Sequence, residues 1–417
     1  MEKFEVIGGK SLKGTITVSG SKNAALPIIC ASLLTKEKVV LSNVPNIADI
    51  RSMIQILEGI GAKIKFEKNT LQIDSSNLKS RKIAEKLVKK MRASILIMGA
   101  LLHRFGEVKM AFPGGCVLGK RTLSSHTYAF EQLGAKVLDE EKGLHVKAKD
   151  LKGAKIILPE LSVTATENAV MAAVLAKGDT EIRLSATEPH IQDLCNFLNK
   201  MGAKISGIGT NIIKIKGVKS LKGVHYKITG DYLEAGTFAI AAVATKGDVT
   251  IKGINTEDLD SFWQKLEEIG AKFELKENEV HIFPTKEINS VRILRTAVHP
   301  SFATDLQAPF TVLLTQAKGV SKIFETLFEG RLNYLFELEK MGAHIEFLNP
   351  HQALIIGPRE IKGMPISSCD IRAGAAMVVA ALMANGKTEI SNINYIDRGY
   401  ENLDEKLRSL GAQIKRI

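Results

Sequence analysis

The 417-residue chain is poor in aromatics, at 6%, has a single tryptophan, and contains only four cysteines. No apolar run reaches the roughly 18 residues that a membrane span requires, and the acidic start Met1-Glu2-Lys3-Phe4-Glu5 lacks the apolar core of a signal peptide. A cytoplasmic protein with no membrane partner is the expectation. Cys30, Cys116, Cys195 and Cys369 form no CxxC pair and no zinc spacing, which points to free thiols in a reducing compartment and to no metal site. Scarce aromatics and the absence of a basic run of about five residues argue against nucleic acid, despite a net charge of +12. Dispersed positive charge suits a site that gathers small anions.

An internal repeat is the strongest feature present. Six times an amphipathic helical pattern ends in an apolar residue followed by Gly-Ala, at Gly61, Gly134, Gly202, Gly270, Gly342 and Gly411. Met53, Leu57 and Ile60, or Leu259, Phe262, Trp263, Leu266 and Ile269, show the helical period. Glycine ends such a helix because it enters left-handed backbone without strain, and Asp49 is the expected N-cap of the first one. An alternating strand follows each Gly-Ala, and in five copies a hairpin partner follows that. The sixth copy stops at Ile417 without one. Phe4–Gly8 and the turn Leu12-Lys13-Gly14 match the missing piece, so the first strand is expected to pair near the last.

Each repeat also carries a second helix, apolar all round: 24–34, 94–102, 168–176, 235–244, 309–315 and 373–383. Such helices belong in a core. The expected fold class is therefore α/β, with two inside-out domains of three βαβαββ repeats each, buried helices inside and sheets outside. The expected boundaries are 22–229 for the first domain, carrying the Cys116 loop, and 1–21 with 230–417 for a discontinuous second. A long solenoid is the competing architecture, but its repeats usually run about 20–50 residues.

Pro113-Gly114-Gly115-Cys116, followed by Gly119-Lys120-Arg121, is the sharpest local feature. Adjacent cations favour thiolate, and a loop thiol can serve as acid, base or nucleophile; a plain flexible turn with an incidental cysteine fits the same residues. Lys22, Arg92 and Arg372 stand at the starts of apolar helices, where free amides and a side-chain cation together suit phosphate or carboxylate. Asp231, Glu234 and Asp305 hold matching places. Carboxylates there are commonly caps, and one facing a cationic site could act as general base.

The strings Gly20-Ser21-Lys22-Asn23-Ala24-Ala25-Leu26-Pro27, Met91-Arg92-Ala93-Ser94, Pro113-Gly114-Gly115-Cys116, Glu234-Ala235-Gly236-Thr237, Thr304-Asp305-Leu306-Gln307-Ala308 and Asp397-Arg398-Gly399-Tyr400-Glu401 run the length of the chain. Together they resemble the UDP-N-acetylglucosamine 1-carboxyvinyltransferases of the enolpyruvyl transferase family, which open peptidoglycan synthesis. The resemblance implies transfer of the enolpyruvyl group of phosphoenolpyruvate to the sugar 3-hydroxyl through a tetrahedral ketal, in a cleft between the domains and without metal or organic cofactor. By position, Lys22, Arg121 and Arg398 would hold phosphoenolpyruvate, with Asn23, Arg92, Arg331 and Arg372 lining the same site. Asp305 would take the hydroxyl proton, Asp370 would assist proton handling, and Cys116 would be the general acid. Asn23, Arg92, Arg121, Ser162, Val163, Thr164, Thr304, Asp305 and Leu327 would contact the UDP-sugar.

The sequence departs from that pattern on the nucleotide side. Thr122-Leu123-Ser124-Ser125-His126 replaces a stretch that usually begins with proline and includes aspartate, and that clamps uracil. Thr164 stands where glycine is usual, putting a side chain where backbone would approach phosphate. His190 replaces an acid, and Ser301 and Ala303 replace Gly and Pro. Acceptor recognition has either drifted or been kept through backbone contacts. The competing functions are an enolpyruvyl transferase with another nucleotide or UDP-sugar acceptor, and a non-catalytic binding paralogue. Nothing in the sequence signals an oligomeric state.

Overall fold

In a computed structural model the described residues are 2–81, 83–114, 122–140 and 143–417. Cys116 and Arg121 lie outside them. The described residues divide into two compact units, one of 20–114 and 122–229, the other of 2–19 and 230–417.

In the first unit the helices Lys22–Ala31, Ile97–Phe105 and Val163–Ala173 are buried, the middle one packing on both others. Three sheets cover this core. In one, Val39–Ser42 pairs antiparallel with Thr70–Asp74, which pairs antiparallel with Lys63–Glu67. His225–Lys227, from the end of the unit, adds in parallel to Val39–Ser42. Alternation sends Val39, Leu41, Leu71 and Ile73 inward, each at most 1% exposed. The second unit repeats the plan around Tyr232–Ala244, Thr304–Leu314 and Ile371–Met383, which all pack on one another.

Phe4–Ile7 is sandwiched antiparallel between Lys387–Ser391 and Gln413–Arg416, with Phe4 opposite both Ile390 and Arg416. The chain's first strand is thus the hairpin partner of its last. Lys13–Thr17, beginning in the Leu12-Lys13-Gly14 turn, is a strand parallel to Asp248–Lys252. The six repeat glycines all have positive φ, between 83° and 105°. That shared backbone state explains why one residue type recurs at the end of every amphipathic helix.

Two of the buried helices begin well before apolarity alone indicates, whereas the one expected at 94–102 is Ile97–Phe105, preceded by the turn Arg92–Leu96. Val163–Ala173 starts five residues before Asn168, and Thr304–Leu314 five before Pro309. Their opening turns are polar because capping groups and candidate site residues occupy them. Pro27 and Pro309 lie inside their helices rather than at an end. Each withdraws the amide that a helix would aim at the carbonyl four residues earlier, which belongs to Asn23 and to Asp305 respectively. Asp49 is not an N-cap: Ile47 holds that position, and Asp49 is buried in the first turn of Ala48–Gly59.

Close helix packing depends on small residues. A Cβ at Gly99 would stand 2.8 Å from the Asn168 carbonyl oxygen and 2.9 Å from its Oδ1, whereas a Cβ at Gly59 meets nothing within 4 Å. Gly99→Ala should lower the unfolding free energy by about 1–3 kcal/mol through overpacking. Gly59→Ala, on an open helix face, should be neutral or raise it by up to about 1 kcal/mol. Denaturant midpoints at constant m check both.

Candidate active site

In the first unit, Ser21 caps Lys22–Ala31 by accepting from the Ala24 amide at 3.3 Å, which places Lys22 and Asn23 in the first turn. The Lys22 Nζ lies 3.5 Å from Asp49 Oδ2, and both side chains are largely buried. Asp49 is a site-adjacent group that sequence reasoning assigned only to capping. Arg92 opens the turn Arg92–Leu96, ahead of its buried helix, and its Nη2 donates to the Thr122 carbonyl at 2.7 Å.

Ser162 caps Val163–Ala173, accepting from the Ala165 amide at 3.4 Å. Thr164 Oγ1 lies 3.1 Å from Nε2 of His126, and His126 Nδ1 lies 2.9 Å from Asn168 Nδ2. The altered 122–125 stretch is fastened by further polar links: Thr122 Oγ1 to Ser124 Oγ at 2.9 Å, and Ser125 Oγ donating to Glu160 Oε1 at 2.9 Å. Burial, and secondarily the charge of Arg92, push the His126 pKa down to about 3.

In the second unit, Asp305 joins two arginines. One carboxylate oxygen pairs with Arg331 Nη2, and the other accepts from Arg372 Nε at 3.1 Å. Both arginine side chains are 4% exposed. Burial opposes their charge, but neighbouring groups prevail and raise both pKa values, with the carboxylates of Asp305, Asp370 and Glu325 acting on Arg331, and Tyr400 with the carboxylates of Asp305 and Asp231 acting on Arg372. The Arg372 guanidinium carbon lies 5.1 Å from the centre of the Tyr400 ring. Arg331 Nε and the two Nη atoms of Arg372 are buried donors without a hydrogen-bond partner among the described residues. Arginine nitrogens presented in this way suit an anionic ligand.

Asp370 caps Ile371–Met383, its Oδ1 accepting from the amides of Arg372 at 2.8 Å and Ala373 at 2.9 Å. Asp231 likewise caps Tyr232–Ala244, while Glu234 is buried against Lys406. Asp305, in the first turn of its own buried helix, is held by both Arg331 and Arg372. Thr304 Oγ1 donates at 2.8 Å to Glu325 Oε2, and Glu325 Oε1 accepts from the Leu327 amide at 2.9 Å. Glu325, with no exposed surface, thus links two of the expected acceptor-contact residues; no local pattern singles it out. Arg398 closes the turn Ile393–Arg398 and is half-buried. Next to it, Asp397 receives two bonds from Arg416, at 2.8 and 2.9 Å, which pins the string.

Cys30 and Cys195 are fully buried, and burial drives both thiols up, Cys195 to about 12, so neither is a nucleophile. No group of three or more His, Cys, Asp or Glu among the described residues could hold a metal ion.

The family model for EPSP synthase (3-phosphoshikimate 1-carboxyvinyltransferase) matches residues 6–407. The chain belongs to this family of enolpyruvyl transferases. Curated family members named UDP-N-acetylglucosamine 1-carboxyvinyltransferase are similar over the full chain. The protein of Halothermothrix orenii is 44% identical, with 100% of each chain covered. That of Borrelia garinii subsp. bavariensis is 42% identical, covering 100% of this chain and 99% of its own. That of Coxiella burnetii is 44% identical, covering 100% and 96%. Among solved family structures, the enolpyruvyl transferase NikO from Streptomyces tendae superposes with a TM-score of 0.90 at 23% identity, over 100% of this chain and 99% of its own. EPSP synthase from Acinetobacter baumannii gives 0.77 at 18%, over 100% of both. These two likenesses establish the fold.

The neutral His126 has a measurable consequence for this enolpyruvyl transferase. The unfolded chain protonates His126 near 6.5, but the fold does so only near 3. Between those values the unfolded state binds more protons. The stabilisation is complete above about pH 6.5 and is lost as pH falls towards 3, at up to about 1.4 kcal/mol per pH unit. Urea unfolding from pH 7 to 4 should show a shallower decline for His126→Gln than for the unaltered protein.

Proposed function

We infer that the chain transfers the enolpyruvyl group of phosphoenolpyruvate to the 3-hydroxyl of UDP-N-acetylglucosamine with release of phosphate, the committed step of peptidoglycan synthesis, and that it works in the cytoplasm. The observation that carries this reading is the full-length similarity, at 42–44% identity, to curated enzymes of that name. The arginine-held Asp305 supports it chemically. No helix of the described residues is long and apolar enough to cross a membrane.

In this reading the hydroxyl oxygen adds to C2 of phosphoenolpyruvate while its proton passes to Asp305 and a proton from Cys116 adds to C3. The resulting ketal then loses phosphate from C2 and a proton from C3, regenerating the double bond on the sugar ether. Lys22, Arg121 and Arg398 hold the phosphate and carboxylate, and Asn23, Arg92, Arg331 and Arg372 line the same anionic subsite. Fixed cations stabilise the departing phosphate without reorganisation at the moment of reaction. Asp370 assists the proton at C3. Ser162, Val163, Thr164, Thr304 and Leu327 contact the UDP-sugar.

A second reading, another nucleotide or UDP-sugar acceptor, draws on the replaced clamp residues Thr122, Ser124 and Ser125. Phosphate release from phosphoenolpyruvate, measured with UDP-N-acetylglucosamine, other UDP-sugars and shikimate 3-phosphate, decides between them. The expected outcome is turnover with UDP-N-acetylglucosamine at the highest kcat/KM; turnover only with another acceptor favours the second reading, and none with any acceptor favours a binding protein. Asp305→Ala should lower kcat by about 100-fold or more, in the range of a lost general base. An epoxide of the fosfomycin type should add its mass to the Cys116 peptide, and Cys116→Asp should abolish the adduct while retaining turnover, because a carboxylic acid also donates a proton.

A further inference from the structure

The proton positions around His126 can be assigned one atom at a time. Asn168 is fully buried, and its side-chain orientation is fixed by two backbone groups: Oδ1 accepts from the Gly99 amide at 3.0 Å, and Nδ2 donates to the Ile95 carbonyl at 3.0 Å. An amide nitrogen only donates, so the second Nδ2 hydrogen faces His126 Nδ1 at 2.9 Å, and Nδ1 must be the unprotonated, accepting nitrogen. A neutral imidazole then carries its single hydrogen on Nε2, which donates to Thr164 Oγ1 at 3.1 Å. An imidazolium would oppose its Nδ1 hydrogen to the Asn168 amide, and Arg92 disfavours a second cation nearby. The Thr164 oxygen is therefore used as an acceptor on its buried side. Its own hydrogen cannot point back to His126. Thr164 is half-buried, in the first turn of Val163–Ala173, so a direction away from His126 is open to it.

We propose that His126 and Asn168 are positioning residues that fix Thr164 as a hydrogen-bond donor to the diphosphate of the UDP-sugar. The proposal rests on the acceptor reading above and deepens it. The side chain that replaces glycine is not an obstruction to phosphate. It adds one donor whose polarity is set two residues away, by the Gly99 amide and the Ile95 carbonyl acting through Asn168. Acceptor recognition has changed its hydrogen-bond inventory and kept its ligand class.

The test uses the full-length enzyme with Thr164→Val, which keeps the shape and loses the hydroxyl, and Thr164→Ser, which keeps the hydroxyl. Thr164→Val should raise the Kd for UDP and the KM for UDP-N-acetylglucosamine about tenfold or more, as expected for one lost bond to a charged group. The KM for phosphoenolpyruvate should not share that rise, and Thr164→Ser, which restores the hydroxyl, should bind UDP about fivefold or more tighter than Thr164→Val. Nitrogen NMR of 15N-histidine-labelled protein should show His126 as the Nε2–H tautomer from pH 5 to 8. Equal UDP affinity in all three proteins, an equal loss in Ser and Val variants, or an Nδ1–H tautomer would overturn the proposal while leaving the acceptor reading standing. If the unaltered enzyme binds neither UDP nor UDP-N-acetylglucosamine, the acceptor reading falls and takes the proposal with it.

Discussion

Six helices that are apolar on every side must be covered on every side, and the rest of this structure answers that constraint. A sheet hides one face of a helix and an amphipathic helix another, so each buried helix brings its own hairpin and outer helix with it. Gly-Ala turns end those outer helices, and positive φ at all six shows the same junction being rebuilt each time. The unit centred on 20–229 and the unit centred on 230–417 are two solutions of one packing problem. Both rely on small residues such as Gly99 to let buried helices approach.

The same constraint concentrates chemistry at helix starts. A helix with no polar face can show polar groups only at its ends, where unbonded amides need partners. Ser21, Ser162, Asp231 and Asp370 supply those partners as caps. Lys22, Thr164, Asp305 and Arg372, the candidate ligand contacts, stand within a turn of a helix start. Internal Pro27 and Pro309 extend the effect, since each relieves the carbonyl of a candidate site residue, Asn23 or Asp305, from helical bonding.

Two neighbourhoods handle burial in opposite ways. Around Asp305, the arginines keep their charge because carboxylates outweigh the cost of leaving water, which suits binding of an anion. Around His126, burial and the nearby charge of Arg92 both disfavour protonation, and the imidazole stays neutral with a defined tautomer. A charged cradle and a neutral relay thus arise from the same fold, and the difference lies in which side chains face the buried group.

Much of this could be read along the chain. Helical period, the Gly-Ala spacing and the orphan strand at Ile417 lead to the repeat and to the pairing of Phe4–Ile7 with Gln413–Arg416, because these are local periodicities and a simple count. The shared strings lead to the family. Local reasoning failed where a side chain's partner is distant. Asp49 has the look of a cap and instead lies by Lys22; Glu325 carries no motif and bridges Thr304 to Leu327. Thr164 looks like a block to phosphate and is instead bonded to a histidine 38 residues away. The sequence alone determined the repeat, the glycine-marked C-terminal ends of the amphipathic helices and the kinds of reactive groups, since those follow from backbone preference and residue chemistry. The tertiary structure decided that Asp305 is held between two arginines and which way the Thr164 hydroxyl faces, since both depend on groups that only folding brings within hydrogen-bond reach.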